Sequence, residues 1–184
     1  MKNYFEEIVR SMDWLASKED TFFLGQTVVY PGTAMSNTVK QIPEEKRFEM
    51  PVCEDFQVGL SIGMAMNGTV PISIFPRWNF LLVGTSQIVS HLDKLKAMLP
   101  KNHKLPKVII RTGIGSESPL YPGPQHIGDF TNAFRIMCPD VDIVRLDYSE
   151  MIFPTYEKAY LREDGKSTIV VEWADAYDPN WTRP

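Results

Sequence analysis

The order of apolar and polar residues along the chain predicts helices that alternate with buried strands. Apolar side chains recur at helical spacing between Tyr4 and Leu15, which indicates an amphipathic first helix. Several short runs are apolar almost throughout, as is typical of strands that are covered on both faces of a sheet. In chain order these runs are TFFLGQTVV, RFEMPV, VPISIF, KVIIRTG, VDIVRL and STIVVEW.

Helical patterns fill the segments between these runs. The expected helices are Glu54–Asn67, a long helix from Asn79 or Thr85 to about Leu99, a helix near Asp129–Met137, the segment SEMIFPTYEKAYLRE, and a short helix over Ser36–Gln41 that Ser36 caps. This alternation predicts an α/β fold with three layers, in which helices cover both faces of a mostly parallel sheet. A chain of 184 residues is long enough for one such domain.

Composition and charge exclude several classes of protein. The net charge of −4 and the pI of about 5.4 argue against a nucleic acid or an anionic membrane as the main partner. Cys53 and Cys138 fit neither a metal spacing nor a disulfide framework, and no apolar run reaches the length of a membrane span. Because the amphipathic N-terminal segment carries acidic residues, unlike a targeting peptide, we expect a cytoplasmic protein.

Four segments that follow predicted strands contain most of the unusual polar and aromatic residues. They are Gln26–Thr33, Cys53–Asp55, Pro76–Phe80 and Gly113–His126. Sites in parallel α/β sheets form at the carboxyl ends of the strands, where such segments meet. We therefore expect the functional site at this edge of the sheet.

The residues alone leave two interpretations of Glu54 open. A carboxylate at the start of a helix can simply complement the helix dipole, or it can be a buried functional acid. His126 lies between Pro and Gly residues on a constrained loop, which distinguishes it from an ordinary solvated histidine. The segment RTGIGSES could cradle a phosphate, but it matches neither a Walker nor a Rossmann fingerprint.

Taken together, the order and spacing of these segments resemble a known family. The matching segments are FLGQTV, RFEMPVCEDFQVGLSIGMAMNG, FPRWNF, VIIRTGIG and GPQH, and the likeness as a whole extends roughly from Thr21 to Trp173. They resemble the pyrimidine-binding domain of the transketolase-like thiamine diphosphate enzymes. The likeness is greatest to the β subunit of 2-oxoacid dehydrogenases, whereas the GPQH loop is more similar to transketolase.

This resemblance implies roles for individual residues. Glu54 would share a proton with ring nitrogen N1′ of the cofactor's aminopyrimidine, because an apolar setting favours the protonated form of a carboxyl group. Phe80 would stack on the pyrimidine, Val52 would contact the ring, and His126 would face the substrate and move protons. Gln26 stands where dehydrogenase β subunits usually have an acid, and the resemblance places it beside the cofactor.

The resemblance also implies a partner chain. In the family, Mg²⁺ holds the cofactor's diphosphate and is bound by a GDG…N segment of a separate domain, which Glu163–Thr168 does not match. We therefore expect residues 1–184 to form a single pyrimidine-binding domain, with neither a diphosphate-binding domain nor a C-terminal transketolase domain. A diphosphate-binding subunit would complete the active site, in a heterotetramer built as a dimer of heterodimers.

Several functional hypotheses remain open at the level of sequence. The first is a subunit of a two-chain thiamine diphosphate-dependent enzyme that acts on a 2-oxoacid or a ketose. Within the same class, a two-chain transketolase and a 2-oxoacid decarboxylase compete with it. Outside that class, the chain could be a non-catalytic interaction module of the same fold or a flavodoxin-like nucleotide-binding domain.

Overall fold

The computed structural model of the chain describes residues 3–100, 105–115, 117, 121–178 and 180. The two serines of the possible phosphate loop, Ser116 and Ser118, therefore lie outside the described residues. So does the adjoining part of the loop between Gly113 and His126 that covers residues 119 and 120.

Six strands form one sheet within the described residues. They are β1 (Thr21–Gly25), β2 (Arg47–Glu49), β3 (Val70–Phe75), β4 (Ile109–Ile114), β5 (Val141–Arg145) and β6 (Ser167–Trp173), in the spatial order β2-β1-β3-β4-β6-β5. Every neighbouring pair is parallel, so the sheet is parallel throughout. The central strands β3 and β4 are buried at every position, as their continuous apolar runs predict.

Helices cover both faces of this sheet, which confirms the predicted three-layer α/β fold. The helices are α1 (Tyr4–Ala16), α2 (Glu54–Met66), α3 (Trp78–Leu81), α4 (Thr85–Gln87), α5 (Leu95–Met98), α6 (Thr131–Met137) and α7 (Ser149–Leu161). Helices α1 and α7 pack on one face of the sheet, called the first face below, and form one core cluster with it. Helices α2, α3, α5 and α6 pack on the opposite face and form the second core cluster. No described helix combines the length and the apolar character that a membrane crossing requires.

The long helix expected up to Leu99 is interrupted. After α3, a 3₁₀ turn spans Leu82–Gly84, and a π turn spans Ile88–Leu92 between α4 and α5. The π turn closes with a hydrogen bond from the Asp93 backbone N–H to the Ile88 carbonyl, and it turns the Asp93 carboxylate toward β5, where its Oδ1 accepts the Asp140 N–H at 2.7 Å. A tertiary hydrogen bond thus replaces helical continuity here.

The expected helix over Ser36–Gln41 is a shorter 3₁₀ turn, Met35–Thr38, that Ser36 does not cap. Instead, the Ser36 hydroxyl accepts backbone N–H groups from Gly32 and Thr33, and so closes the loop that follows β1. A serine hydroxyl competes readily for local backbone groups, which explains why its helix-capping signal was misleading.

A buried ion pair fastens the first face of the sheet. Arg111 on β4 and Glu172 on β6 are both fully buried, and the guanidinium binds the carboxylate in bidentate fashion, at 2.7 Å (Nε–Oε1) and 2.9 Å (Nη2–Oε2). The hydroxyls of Tyr156 and Tyr177 also donate to Glu172. Burial, together with the Glu172 charge, raises the pKa of both tyrosines well above the usual value, so they keep the protons that they donate.

Replacement of Arg111 by Met should leave the Glu172 carboxylate buried without its counter-ion. We expect Arg111→Met to lower the free energy of unfolding by about 3–5 kcal/mol, measured by urea denaturation. Lys158→Met is the matched control, because the Lys158 side chain is 73% exposed and its ion pair with Asp142 spans 3.5 Å. That control should cost less than about 1 kcal/mol. Equal losses in the two variants would contradict the assignment.

Candidate functional site

Glu54 is the first residue of α2, and its position depends on how that helix is fastened to the sheet. One turn later, the buried amide of Gln57 donates to the Ser73 hydroxyl at 3.0 Å and to the Ile74 carbonyl at 3.0 Å. These bonds hold the first turn of α2 over the carboxyl end of β3. Gln57 was not predicted from the sequence; its signal was an amide one helical turn after an acid in an otherwise apolar helix.

The Glu54 side chain is buried, with the residue only 8% exposed, and it points to the end of β1 rather than to solvent. Gln26, the residue after β1, donates a hydrogen bond from Nε2 to Glu54 Oε1 at 3.2 Å. No described residue donates to the second oxygen, Oε2. The two residues are 28 positions apart in sequence, and the fold brings them into direct contact.

Phe80 and His126 form a second pair at the same edge of the sheet. Their ring centroids lie 5.5 Å apart in an edge-on arrangement. Two hydrogen bonds join the segments that carry them: Arg77 Nη1 donates to the His126 carbonyl at 3.2 Å, and the Gly128 N–H donates to Asn79 Oδ1 at 3.0 Å. His126 Nδ1 is buried and has no hydrogen-bond partner in the described part of the chain.

The turn between α3 and α4 packs against the start of α2 and so connects the two pairs. A Cβ atom on Gly84 would lie 2.9 Å from a methyl group of Val58 and 3.4 Å from the carbonyl oxygen of Glu54, so this position has no room for a larger side chain. Gln87 also donates to Asp55 at 3.3 Å. The chain segment that follows Phe80 is therefore in contact with the first turn that presents Glu54.

Val52 and Trp78, which adjoin these pairs in sequence, differ in burial. Val52 is 78% exposed, so this chain by itself does not build the apolar contact that was expected of it. Trp78 is fully buried in the core, where its ring packs on Phe134 with centroids 5.4 Å apart. Trp78 is therefore a core residue.

The loop that carries His126 is anchored by an ion-pair network. Asp129 accepts hydrogen bonds from the Thr131 N–H and from Arg145, both at 2.9 Å, and Arg145 also binds Asp147 at 2.9 Å. Burial raises the pKa of the Asp129 carboxyl, but the bonds from Thr131 and Arg145 outweigh it, so the net pKa is lowered. The charged form of Asp129 is therefore the one that the fold stabilises.

Comparisons with known proteins give two related findings. No protein-family model matches the sequence. Over 105 residues, 57% of its length, the chain is 31% identical to the mitochondrial pyruvate dehydrogenase E1 component subunit beta of Ascaris suum, of which it covers 28%. It also resembles a solved structure described as a split gene transketolase, inactive beta4 tetramer, with a TM-score of 0.69 and 14% identity, over 92% of this chain and 50% of that one.

The chain has a transketolase-like α/β fold. It spans half or less of the length of these two relatives. Within this fold, the Gln26–Glu54 pair and the Phe80–His126 pair lie at the carboxyl edge of the parallel sheet, at the loops that follow β1, β3 and β4. No group of three or more His, Cys, Asp or Glu side chains in the described ranges is arranged to hold a metal ion.

The Asp129 network should make the folded chain sensitive to acid. The folded-state pKa of Asp129 lies below its unfolded value, so its ionised form stabilises the fold above the unfolded pKa, and this contribution is lost as the pH falls through the folded pKa. We expect Asp129→Asn to be less stable than wild type at pH 7, with a difference that shrinks toward pH 2.5 in urea denaturation series. The exposed residue Glu19 offers a matched control, because Glu19→Gln should leave the pH profile unchanged. A difference that is constant across the pH range would refute the assignment.

Proposed function

We propose that this chain is the pyrimidine-binding subunit of a two-chain thiamine diphosphate-dependent enzyme. The enzyme would cleave or transfer a carbon–carbon bond of a 2-oxoacid or a ketose, in an active site shared with a diphosphate-binding partner. The observation that carries the proposal is the buried Glu54 carboxyl group, which has one oxygen bonded to Gln26 and the other left without a donor among the described residues. The sequence relative supports a 2-oxoacid substrate, and the structural relative supports a ketose.

The arrangement of Glu54 fits an aminopyrimidine ring. With Oε1 occupied by Gln26, Oε2 is the oxygen that can share a proton with ring nitrogen N1′. When bound, thiamine diphosphate supplies a carbon nucleophile for a substrate carbonyl and then accepts the electrons of the broken bond. Glu54, which is only 8% exposed, would hold the proton at N1′.

Phe80 and His126 supply the other contacts that such a ring and its substrate need. Phe80 is half-buried and offers a ring face or edge to an aromatic ligand, and its contact with His126 at 5.5 Å keeps both side chains in place. The buried Nδ1 of His126 is a polar atom that lacks a partner within the described chain. In the proposed enzyme it would bind the substrate oxygen or transfer a proton to it.

An uncovered apolar face supports the proposed partner chain. Phe56 and Met66 project from α2 and are 54% and 43% exposed, and nearby Val52 and Val83 are 78% and 61% exposed. A Cβ atom added to Gly63, between Phe56 and Met66 on α2, would meet nothing within 4 Å, so another helix can approach closely there. We assign the cofactor's diphosphate and its Mg²⁺ to the chain that covers this face, in a heterotetramer.

Glu54→Gln tests the catalytic assignment. An amide keeps the shape of the side chain but cannot share a proton with N1′, so kcat of the assembled enzyme should fall by about 100-fold or more. The measurement is steady-state turnover of pyruvate and of a ketose phosphate after reconstitution with the diphosphate-binding chain, thiamine diphosphate and Mg²⁺. The melting temperature of the variant chain should stay close to that of wild type.

Asp55→Asn is the control for this test, because Asp55 is the next acid on the same helical turn and its carboxylate bonds to Gln87. It should retain turnover within a factor of about three, since no proton transfer is assigned to it. Full activity of Glu54→Gln in the assembled enzyme would eliminate the proposed role of Glu54. Equal losses in both variants would point to a general effect on the first turn of α2.

Phe56→Lys tests the partner surface. A charge on a face that the partner chain would cover should lower the affinity between the two chains by about 100-fold or more. The measurement is analytical ultracentrifugation of this chain mixed with the diphosphate-binding chain. Ile136→Lys is a matched control, because Ile136 is 83% exposed on α6, away from α2. If both variants assemble as tightly as wild type, this face is not the interface.

A further inference from the structure

The loop that follows β1 has an unusual backbone conformation. Thr27 has a φ of +60°, and it is the non-glycine residue with positive φ in the described part of the chain. A β-branched residue rarely adopts this conformation, because its Cβ substituents crowd the backbone. Such strain persists only where surrounding contacts impose it, and it is concentrated at functional sites. The contacts that impose it here come from the neighbouring strand β2.

The carboxylate of Glu49, the last residue of β2, clamps this loop. Its Oε1 accepts the Thr27 N–H at 2.6 Å, and its Oε2 accepts the N–H groups of Val29 at 2.8 Å and Tyr30 at 3.4 Å. Glu49 reaches the loop because it lies directly beside Gly25 in the parallel ladder. Both oxygens of one side chain thus satisfy backbone donors that no strand or helix satisfies, in charge-assisted hydrogen bonds.

Glycine at the end of β1 fixes the starting point of the same loop. A Cβ atom on Gly25 would lie 2.4 Å from the Ile74 carbonyl oxygen, so β1 and β3 are too close here for any side chain. Gln26 therefore leaves the sheet at a defined place, and the Glu49 clamp one residue later defines the direction of its side chain. That direction leads to Glu54.

The chemistry of the Gln26–Glu54 contact fixes which group donates. An ionised carboxylate can only accept, so the amide must present its N–H side to Oε1. An acid at position 26 would instead compete with Glu54 for a single proton. The amide therefore occupies Oε1 with a donor in every protonation state of Glu54 and leaves Oε2 as the oxygen that faces a ligand.

We propose that Glu49 and Gln26 are positioning residues: the Glu49 carboxylate imposes the strained loop conformation, and the loop aims Gln26 so that its amide orients the Glu54 carboxyl group. The contact between Gln26 and Glu54 is a property of the chain alone. Its consequence for catalysis rests on the function proposed above. The two parts are tested by different measurements, one without and one with the cofactor.

The first measurement follows the side-chain amide of Gln26 by ¹⁵N NMR in the full-length chain between pH 3 and pH 8. The amide resonances should move as the bonded carboxyl group gains a proton, and Glu54→Gln should abolish this response. The titratable and charged groups on the adjoining elements include Glu49 and Arg47 on β2, Tyr30 on the loop, and Cys53 and Asp55 at the start of α2. Asp55→Asn is therefore included and should leave the response intact. A response of Gln26 that survives Glu54→Gln overturns the proposal.

The clamp is tested in the same experiment with Glu49→Gln, which removes one of the two acceptor oxygens and should abolish the pH response of Gln26. Glu45→Gln is the matched control, because Glu45 is an exposed carboxylate just before β2. It should leave the response as in wild type. Thr27→Gly keeps the N–H donor and tolerates positive φ, so this variant should preserve the response. It provides a second test of the clamp in case Glu49→Gln unfolds the chain. Retention of the response in a folded Glu49→Gln variant contradicts the clamp, and so does its loss in Thr27→Gly.

The second measurement uses the assembled enzyme with thiamine diphosphate and Mg²⁺. Gln26→Leu should lower kcat by about tenfold or more, with the cofactor dissociation constant within about threefold of wild type by calorimetry, because a hydrogen bond to a charged group is lost while ring contacts remain. Unchanged kcat in Gln26→Leu overturns the positioning role. An intact NMR response together with full activity of Glu54→Gln would uphold the contact but reject the proposed function, so the two failures are distinguishable.

Discussion

The candidate site depends on the bond between one helix and the sheet beneath it. The buried amide of Gln57 binds Ser73 and Ile74 on β3, and this fixes both the height and the rotation of α2 over the carboxyl ends of the strands. Glu54 lies one turn earlier on the same helix, so its burial follows from that attachment. A helix held only by apolar contacts could rotate or slide, and a carboxyl group at its first turn would then move toward solvent.

Much of the fold could be predicted from the sequence because the relevant forces are local. Strands buried on both faces require continuous apolar runs, and these runs mark β3, β4 and β6. The interruptions between Trp78 and Met98 could not be predicted, because the segment contains no proline and its π turn depends on the bond between Asp93 and Asp140 across the fold. Met98, at the end of α5 beyond that turn, is 65% exposed.

In the candidate site, too, features set by local sequence could be predicted, and features set by contacts across the fold could not. The strand ends indicated where Glu54, Phe80 and His126 would lie, since parallel strands deliver their following loops to one edge. The contact of Glu54 with Gln26 could not be inferred, because it depends on backbone strain at Thr27, which no sequence pattern encodes.

The buried Arg111–Glu172 pair and the Gln26–Glu54 pair belong to opposite faces of the sheet. The residues that stabilise the fold are thus separate from those of the proposed chemistry. Arg111 and Glu172 face α1 and α7, where the buried carboxylate is paired with the guanidinium and bonded to a tyrosine hydroxyl. Glu54 belongs to α2 on the other face, and one of its carboxyl oxygens has no donor among the described residues. A fold that satisfies one buried acid fully and the other by half has the second acid available for a ligand. In the proposed function, a protonated ring nitrogen would donate a hydrogen bond to this second oxygen.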